Sequence, residues 1–236
     1  MITIEKTEVF GWEAAIRGLR NPMNSWEKSD SGICNFECDL ECVDLKCPWE
    51  GEEPDKCLSF HIGPNDMKLM KTLREAGTDH RKFLRMIVVS LDITAPMYWW
   101  AEFDTYKVGT VRNSCSKMHK LLEKPFEMND FSFDKLPVNL YEEVARPWID
   151  MLNELRDSYM RCLEEGVKKE IWYAILQLLP ESYNQRATVL LNYEVLCRMY
   201  HSRKNHKLDC WHAFCDWIET LPYSWLITGK EDCSDE

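Results

Sequence analysis

The stretch ITAPMYWWAEFDTYKVGTVRNSCSKMH, residues 93–119, joins an apolar segment to a dense set of polar side chains. Its aromatic part, residues 97–100, is followed by two acidic residues and then by hydroxyl, amide and cationic groups. Groups of this kind are suited to holding an anion such as a phosphate. We therefore predict a binding site in this stretch, with its donors supplied by Lys107, Thr110, Arg112, Asn113, Ser114, Ser116 and Lys117.

The residues that lead into this stretch predict a buried strand. Residues 82–93 have a dense apolar centre rich in branched side chains, which is typical of a buried strand. Pro96 marks the end of the strand because proline cannot donate a hydrogen bond to a sheet. The aromatic segment that follows is predicted to form a short helix or a strand. We expect Trp99 and Trp100 to lie in the core, since aromatic side chains mostly stabilise by the area they bury.

The N-terminal part of the chain shows strand and helix patterns before it becomes irregular. Residues 2–10 alternate between apolar and polar and predict a strand, and residues 11–20 predict a short helix. The following residues, 21–56, have the composition of a loop. A helix is then predicted to start at Pro64 and to stop at Gly77.

The C-terminal half is dominated by helical spacing. An apolar stripe within residues 144–163 predicts a long helix that ends at Gly166. A second helix, residues 168–179, must stop before a proline. Two further helices are predicted over residues 186–202 and 208–221. Strands early in the chain and helices late indicate an α+β fold with a helical C-terminal half.

Composition limits the classes of protein that fit. With 236 residues, 45% of them hydrophobic, the chain is predicted to form a single domain over residues 1–236. A net charge of -11 argues against binding to extended nucleic acid, which needs clustered Lys and Arg. The sequence contains neither an apolar run long enough to span a membrane nor a signal-peptide pattern, so we expect a cytoplasmic protein. The acidic tail from about residue 230 is predicted to be disordered.

The cysteine content is high, and five cysteines fall in a predicted loop insertion at about residues 30–60. The total of 11 is odd, which favours reduced thiols over a disulfide framework. The spacing lacks the short CxxC pairs of common zinc modules and favours free thiols, although four thiolates from one loop could bind a structural metal. The cysteines concerned are Cys34, Cys38, Cys42, Cys47 and Cys57.

Common catalytic and cofactor motifs are missing from the sequence. It has no GxGxxG or P-loop pattern, no GxSxG elbow and no HExxH pair,. Cys115 could in principle pair with a histidine, but an isolated cysteine is more often a small buried apolar residue. The basic strip formed by Arg198, Arg203, Lys204 and Lys207 is compatible with a solvated helix end and with an anion contact. We assign no catalytic residue.

The polar stretch resembles the signature of the flavin-dependent thymidylate synthases, Arg-His-Arg-x-x-Ser-x-Asn-Glu-x-Ser-x-Arg. Flanking residues follow the order of the same family: Gly77 precedes the strand, Arg85 and Met86 take the place of a Glu-His pair, and Leu179, Pro180, Asn192, Arg203 and His206 follow the site. The resemblance covers about residues 62–122 and 176–220. In its register, Thr105, Tyr106 and Lys107 replace the Arg-His-Arg triplet, Thr110 the first Ser, Arg112 and Asn113 the Asn-Glu pair, Cys115 the second Ser, and Lys117 the closing Arg.

This resemblance implies an antiparallel sheet flanked by helices, the thymidylate synthase-complementing-protein fold. It also implies a homo-oligomer, a tetramer whose sites are shared between chains, with FAD as cofactor and dUMP as ligand. The implied nucleotide-binding residues are Lys107, Thr110, Cys115, Ser116, Lys117 and Arg203. The positions that would contact FAD are Thr105, Tyr106, Lys107, Arg112, Asn113 and Asn192, and among those that replace the Arg-His-Arg triplet only Lys107 keeps its charge.

Three hypotheses for the function follow from these observations. The first is a divergent protein of this fold that binds a pyrimidine nucleotide similar to dUMP in an anion pocket. The second is an active FAD-dependent enzyme that methylates dUMP, in which the flavin would supply the redox chemistry. The third is a non-catalytic oligomeric protein with a structural or interaction role.

Overall fold

A computed structural model describes residues 2–33 and 60–230. The five clustered cysteines and the last six residues lie outside these ranges. Within them the α+β prediction is confirmed, with a four-stranded antiparallel sheet and helices that pack mainly against one of its faces. No helix in the described ranges has both the length and the apolar character needed to cross a membrane.

The sheet consists of β1 (Thr3–Phe10), β4 (Val88–Pro96), β5 (Val111–Ser114) and β6 (Asn184–Asn192), in the order β1-β4-β6-β5. The predicted first strand and the end of the second at Pro96 are confirmed. The second strand starts later than predicted because Lys82–Arg85 form a 3-10 turn. A separate two-stranded ribbon pairs β2 (Gly32–Ile33) with β3 (Phe60–His61).

The helix predicted over residues 186–202 is wrong in its first half, which is the central strand β6. Ala187, Val189 and Leu191 are buried on one face of this strand, while the residues between them are exposed, as expected for the two-residue period of a strand. The exposed Leu190 breaks this alternation in the sequence and makes the segment look helical. The helix α8 (Tyr193–Arg203) begins only where the Asn192 side chain accepts a hydrogen bond from the Val195 amide.

The helices of the N-terminal half match the prediction. They are α1 (Trp12–Arg20), α2 (Pro64–Glu75) and α3 (Met97–Phe103), so the aromatic segment is a helix. Gly77 lies just after α2 with a φ of +98°, a conformation that glycine adopts readily and that ends helices.

The C-terminal half contains the longer helices α6 (Arg146–Arg161), α7 (Glu165–Leu178) and α9 (Asp209–Glu219). The prediction that Gly166 ends the first of these is wrong, since Gly166 lies in the first turn of α7. The break comes earlier because Cys162 and Glu164 have extended backbone conformations. Shorter helical segments are α4 (Lys117–Lys120), α5 (Val138–Leu140), α10 (Trp225–Thr228) and a π-helical turn, Tyr141–Ala145.

The apolar side chains of the described residues form two clusters. The main core lies between the inner face of the sheet and helices α1, α3, α8, α9 and α10, and it contains the fully buried Trp99 and Trp100, as predicted. A second cluster joins helices α6 and α7 to the segment that follows β5, through Leu121, Leu122, Phe126, Phe131, Ile149, Leu152 and Ile175. This second cluster fixes the segment after β5 against the edge of the sheet.

Candidate functional site

Three strands bring polar residues to one edge of the sheet. Strand β4 ends at Pro96, which lies opposite Asn184, the first residue of β6. Strand β5 ends beside the same part of β6, and the Cys115 amide then donates a hydrogen bond to the Arg186 carbonyl at 2.9 Å. The residues that follow β5 are therefore placed at the start of β6.

A cavity of about 230 Å³ opens at this edge. Three cationic side chains contribute to it: Lys117, Lys120 and Arg186. In a chain with a net charge of -11, such a grouping favours an anionic ligand. The remaining lining residues are Thr94, Cys115, Ser116, Leu121, Asn129, Asp130, Tyr183, Asn184 and Gln185.

Among the described residues Lys117 has no carboxylate partner at this cavity, and the Asp130 carboxylate, which also lines it, is paired with Lys124. The Lys117 Nζ lies 3.5 Å from the Met97 sulfur, and in the described part of the chain it forms no ion pair. Burial, together with the nearby Arg112 guanidinium, lowers the pKa of Lys117 below its ordinary value. A bound anion would stabilise the charged ammonium group.

The other two cations are paired with carboxylates. Arg186 donates to Asp92 at 2.8 Å and lies 3.4 Å from Glu5, and the hydrogen bond from Arg186 lowers the pKa of Asp92. Lys120 pairs with Glu123. With two of its three cations already neutralised, the cavity suits one phosphate group better than a polyphosphate.

Tyr183 and Asn184 form a neutral polar wall of the cavity. The Tyr183 ring packs 5.7 Å from the Phe131 ring, centroid to centroid, and burial raises the pKa of its phenol to about 12. The phenol is therefore protonated at neutral pH. The Asn184 side chain is held from both ends, by the Ser132 hydroxyl and by the Asn129 carbonyl.

Arg112 points away from the open face of the sheet. Its Nη1 donates to Asp104 at 2.7 Å and its Nη2 donates to the Gln185 side-chain oxygen at 2.6 Å. The guanidinium carbon lies 3.8 Å from the centre of the Trp100 ring, a cation–π contact. The structure thus uses Arg112 to tie β5 to α3 and β6.

A second polar group, which we call the Glu102 brace, consists of Glu102, Tyr106, Arg203, His206 and Trp211. One carboxylate oxygen of Glu102 contacts Arg203 Nη1, His206 Nε2 and Trp211 Nε1, the last two at 3.3 and 2.9 Å. Arg203 Nε donates to the Tyr106 hydroxyl at 2.9 Å. The brace joins α3 to the end of α8 and the start of α9.

The remaining residues predicted from the signature lie apart from the cavity. Thr105 donates to the Glu102 carbonyl at the end of α3, and Asn192 caps α8. Lys107 is exposed in the turn after α3, and Asn113 faces the open side of the sheet opposite Thr188. Thr110 and Cys115 flank the four-residue strand β5 and are five positions, or roughly 17 Å, apart,.

The structure therefore brings together only part of the predicted nucleotide-binding set. Cys115, Ser116 and Lys117 line the cavity, whereas Lys107, Thr110 and Arg203 do not. Tyr183 and Asn184 belong to no motif in the sequence, and the helix predicted from residue 186 onward conceals the strand that brings Arg186 to the cavity. The two-residue alternation of Gln185, Ala187, Val189 and Leu191 is the pattern that could have revealed this strand.

Comparisons with known proteins identify relatives by structure only. No protein-family model matches the sequence, and no curated protein is similar to it in sequence. The flavin-dependent thymidylate synthase ThyX from Helicobacter pylori, complexed with FAD and dUMP, superposes with a TM-score of 0.62 at 18% identity, covering 98% of both chains. A second structure of that protein with FAD and dUMP gives a TM-score of 0.62 at 14% identity over 100% of both chains.

A third similar structure is the UMP/dUMP methylase PolB from Streptomyces cacaoi bound with 5-Br dUMP. It superposes with a TM-score of 0.53 at 13% identity, covering 93% of this chain and 89% of that chain. At identities this low, the comparisons establish a shared fold.

Proposed function

We propose, starting from the fold that this chain shares with the flavin-dependent thymidylate synthases, that it binds a pyrimidine nucleoside monophosphate of the dUMP type. The ligand would occupy the cavity at the start of β6. Lys117 and Ser116 would hold its phosphate, with Arg186 and Lys120 at the sides. Tyr183 and Asn184 would contact the nucleoside part.

The observation that carries this proposal is that Lys117, at an open cavity, has no carboxylate partner within residues 2–33 and 60–230. A half-buried ammonium group without a carboxylate partner loses hydration and gains little in return. A phosphate would compensate the ammonium group for its lost hydration through a charge-assisted hydrogen bond. In support, each of the three solved structures described above contains a pyrimidine nucleotide.

The size of the cavity supports a small ligand. Its volume of about 230 Å³ lies just below the range of roughly 300–1,000 Å³ that is usual for small-molecule pockets. A mononucleotide is compatible with this volume if part of it stays exposed to solvent. A dinucleotide such as FAD is much larger than this cavity.

Replacing Lys117 with alanine should weaken dUMP binding by roughly 10- to 100-fold, because a hydrogen bond to a charged group contributes about 1.5–3 kcal/mol. Isothermal titration calorimetry with dUMP measures this change. Lys68→Ala, which removes an exposed lysine from α2, is the matched control and should leave the affinity unchanged. Equal affinities of wild-type protein and Lys117→Ala for dUMP, or no binding by either, would contradict the proposal.

The affinity for dUMP should depend on pH in two opposite ways. It should rise as the pH increases through about 6, where a phosphate monoester acquires its second negative charge. It should fall again at alkaline pH, below the ordinary lysine pKa of 10.5, because the pKa of Lys117 is lowered. Titrations across this range test both limbs. Lys117→Ala should keep the acidic limb and lose the alkaline one, and an unchanged alkaline limb would show that another group is responsible.

A further inference from the structure

We infer that this chain has converted positions aligned with the flavin contacts of the family into internal supports, and that it binds its nucleotide without a flavin. The second half of this inference rests on the proposed function. The first half depends on the register of the sequence resemblance and on contacts within the chain. In four of the six aligned positions the side chain forms a hydrogen bond within the chain: Tyr106 and Arg112 join separate elements, and Thr105 and Asn192 bond at helix ends.

The Glu102 brace holds Tyr106, one of the aligned positions, in contact with three elements of the fold. The Tyr106 hydroxyl accepts a hydrogen bond from Arg203, and the Arg203 guanidinium lies 4.6 Å from the centre of the Trp211 ring. Glu102 supplies the counter-charge of Arg203, whose side chain is only 17% exposed. A flavin that contacted Tyr106 would have to break this hydrogen bond and disturb the pair of Arg203 with Glu102, a half-buried carboxylate that would then lose its partner,.

The Arg112 guanidinium is likewise occupied by contacts within the chain. Both of its terminal nitrogens donate to side chains, and its planar face lies on Trp100. Its side chain is 15% exposed. A ligand on the open face of the sheet therefore meets the neighbouring Asn113 and not Arg112, because successive residues of a strand point to opposite faces.

Two further aligned positions serve helix ends. Thr105 donates to the Glu102 carbonyl at 2.7 Å, where α3 ends. The Asn192 side-chain oxygen accepts a hydrogen bond from the Val195 amide at 3.0 Å and caps α8. Gly109 packs against Asn192 so closely that a Cβ atom at residue 109 would lie 3.0 Å from the Asn192 side-chain nitrogen. Lys107 and Asn113 remain available, and a lysine offers a point charge in place of the bidentate arginine of the family.

The direct experiment titrates purified protein with FAD and follows the fluorescence and visible absorbance of the flavin, with dUMP binding measured separately by calorimetry. We expect no saturable change with FAD, and an affinity for dUMP that is the same with and without FAD. Saturable flavin binding would overturn the inference. Absence of dUMP binding would refute the proposed function and the second half of the inference, so the two failures can be told apart.

A second experiment tests the supporting role itself. Without any ligand, Glu102→Gln should lower the melting temperature by roughly 5–10 °C, because Arg203 loses its counter-charge. The control Glu13→Gln removes a carboxylate from a pair with Arg17 in which both side chains are about 70% exposed, and it should leave the melting temperature unchanged. If Glu102→Gln behaves like this control, the brace is not a structural support and the inference fails.

Discussion

Replacing Asp66 with asparagine is expected to lower the free energy of unfolding by about 3–5 kcal/mol, the usual effect of removing one partner of a buried ion pair. Asp66 is completely buried, and Arg20, with a side chain 6% exposed, donates to it at 2.7 Å. Asparagine can still accept hydrogen bonds from Ser29 and Ser31. It leaves the buried guanidinium of Arg20 without a counter-charge, and that loss dominates the effect.

The pH dependence of this effect has a definite sign. Burial alone would raise the pKa of Asp66, but hydrogen bonds from Ser31, Ser29 and Arg20 hold it below its ordinary value of 3.8. A carboxyl group with a lowered pKa stabilises the folded state above its unfolded pKa, and this contribution is lost as the pH falls through the folded pKa. The difference between wild-type protein and Asp66→Asn should thus be largest near neutral pH and shrink below about pH 4.

Urea unfolding of both proteins at neutral and acidic pH measures this difference. Asp79→Asn, which changes an exposed aspartate after α2, is the control and should unfold like the wild type. A difference between wild-type protein and Asp66→Asn that stayed constant with pH would show that the lost stability does not come from the charge of Asp66.

The elements predicted correctly from the sequence are those whose ends are determined by residues at the ends themselves. Pro64 at the start of α2 and Gly77 after its end have direct backbone reasons. The same holds for Pro96 at the end of β4. Alternation in residues 2–10 predicted β1 for a similarly local reason. These predictions needed no knowledge of which segments pair in space.

The parts that the sequence did not reveal depend on distant partners. Asp66 and Arg20 are 46 positions apart, and neither residue carries a pattern that identifies the other. Strand β6 pairs with β4 on one side and β5 on the other, and its sequence, with Leu190 and Leu191 adjacent, does not show these partners.

The candidate site was predictable only where it is contiguous. Cys115, Ser116 and Lys117 follow one another in the chain and do line one cavity. Arg186 reaches the same cavity through strand pairing, which the predicted helix concealed. Arg203 follows the signature residues in the order expected for the family. Its guanidinium nevertheless pairs with Glu102, and an alignment of residue types cannot show such a partner. The assignment of ligand contacts to these residues stays a prediction.

Replacing Trp99 with alanine is expected to cost about 3–5 kcal/mol of stability, as for other large aromatic residues removed from a core. Trp99 is fully buried in the main core, and its ring centroid lies 5.0 Å from that of Trp100 and 4.9 Å from that of Trp211. Alanine would leave a cavity beneath α3. This helix contains Met97, which contacts Lys117, and Glu102, which belongs to the brace. Chemical unfolding measures the loss, with the half-exposed Trp26→Ala as control.

Trp99→Phe distinguishes ring packing from hydrogen bonding. Within the described residues, the Trp99 indole nitrogen is buried without a hydrogen-bond partner, which costs about 1–3 kcal/mol for a polar group. Phenylalanine removes this unsatisfied donor, which stabilises the folded state. It also loses the smaller part of the aromatic contacts, which destabilises it. Trp99→Phe should therefore lose much less stability than Trp99→Ala. If Trp99→Phe and Trp99→Ala lost equal stability, the Trp99 indole nitrogen would have to form a stabilising hydrogen bond in the folded protein. The absence of a partner would then be wrong.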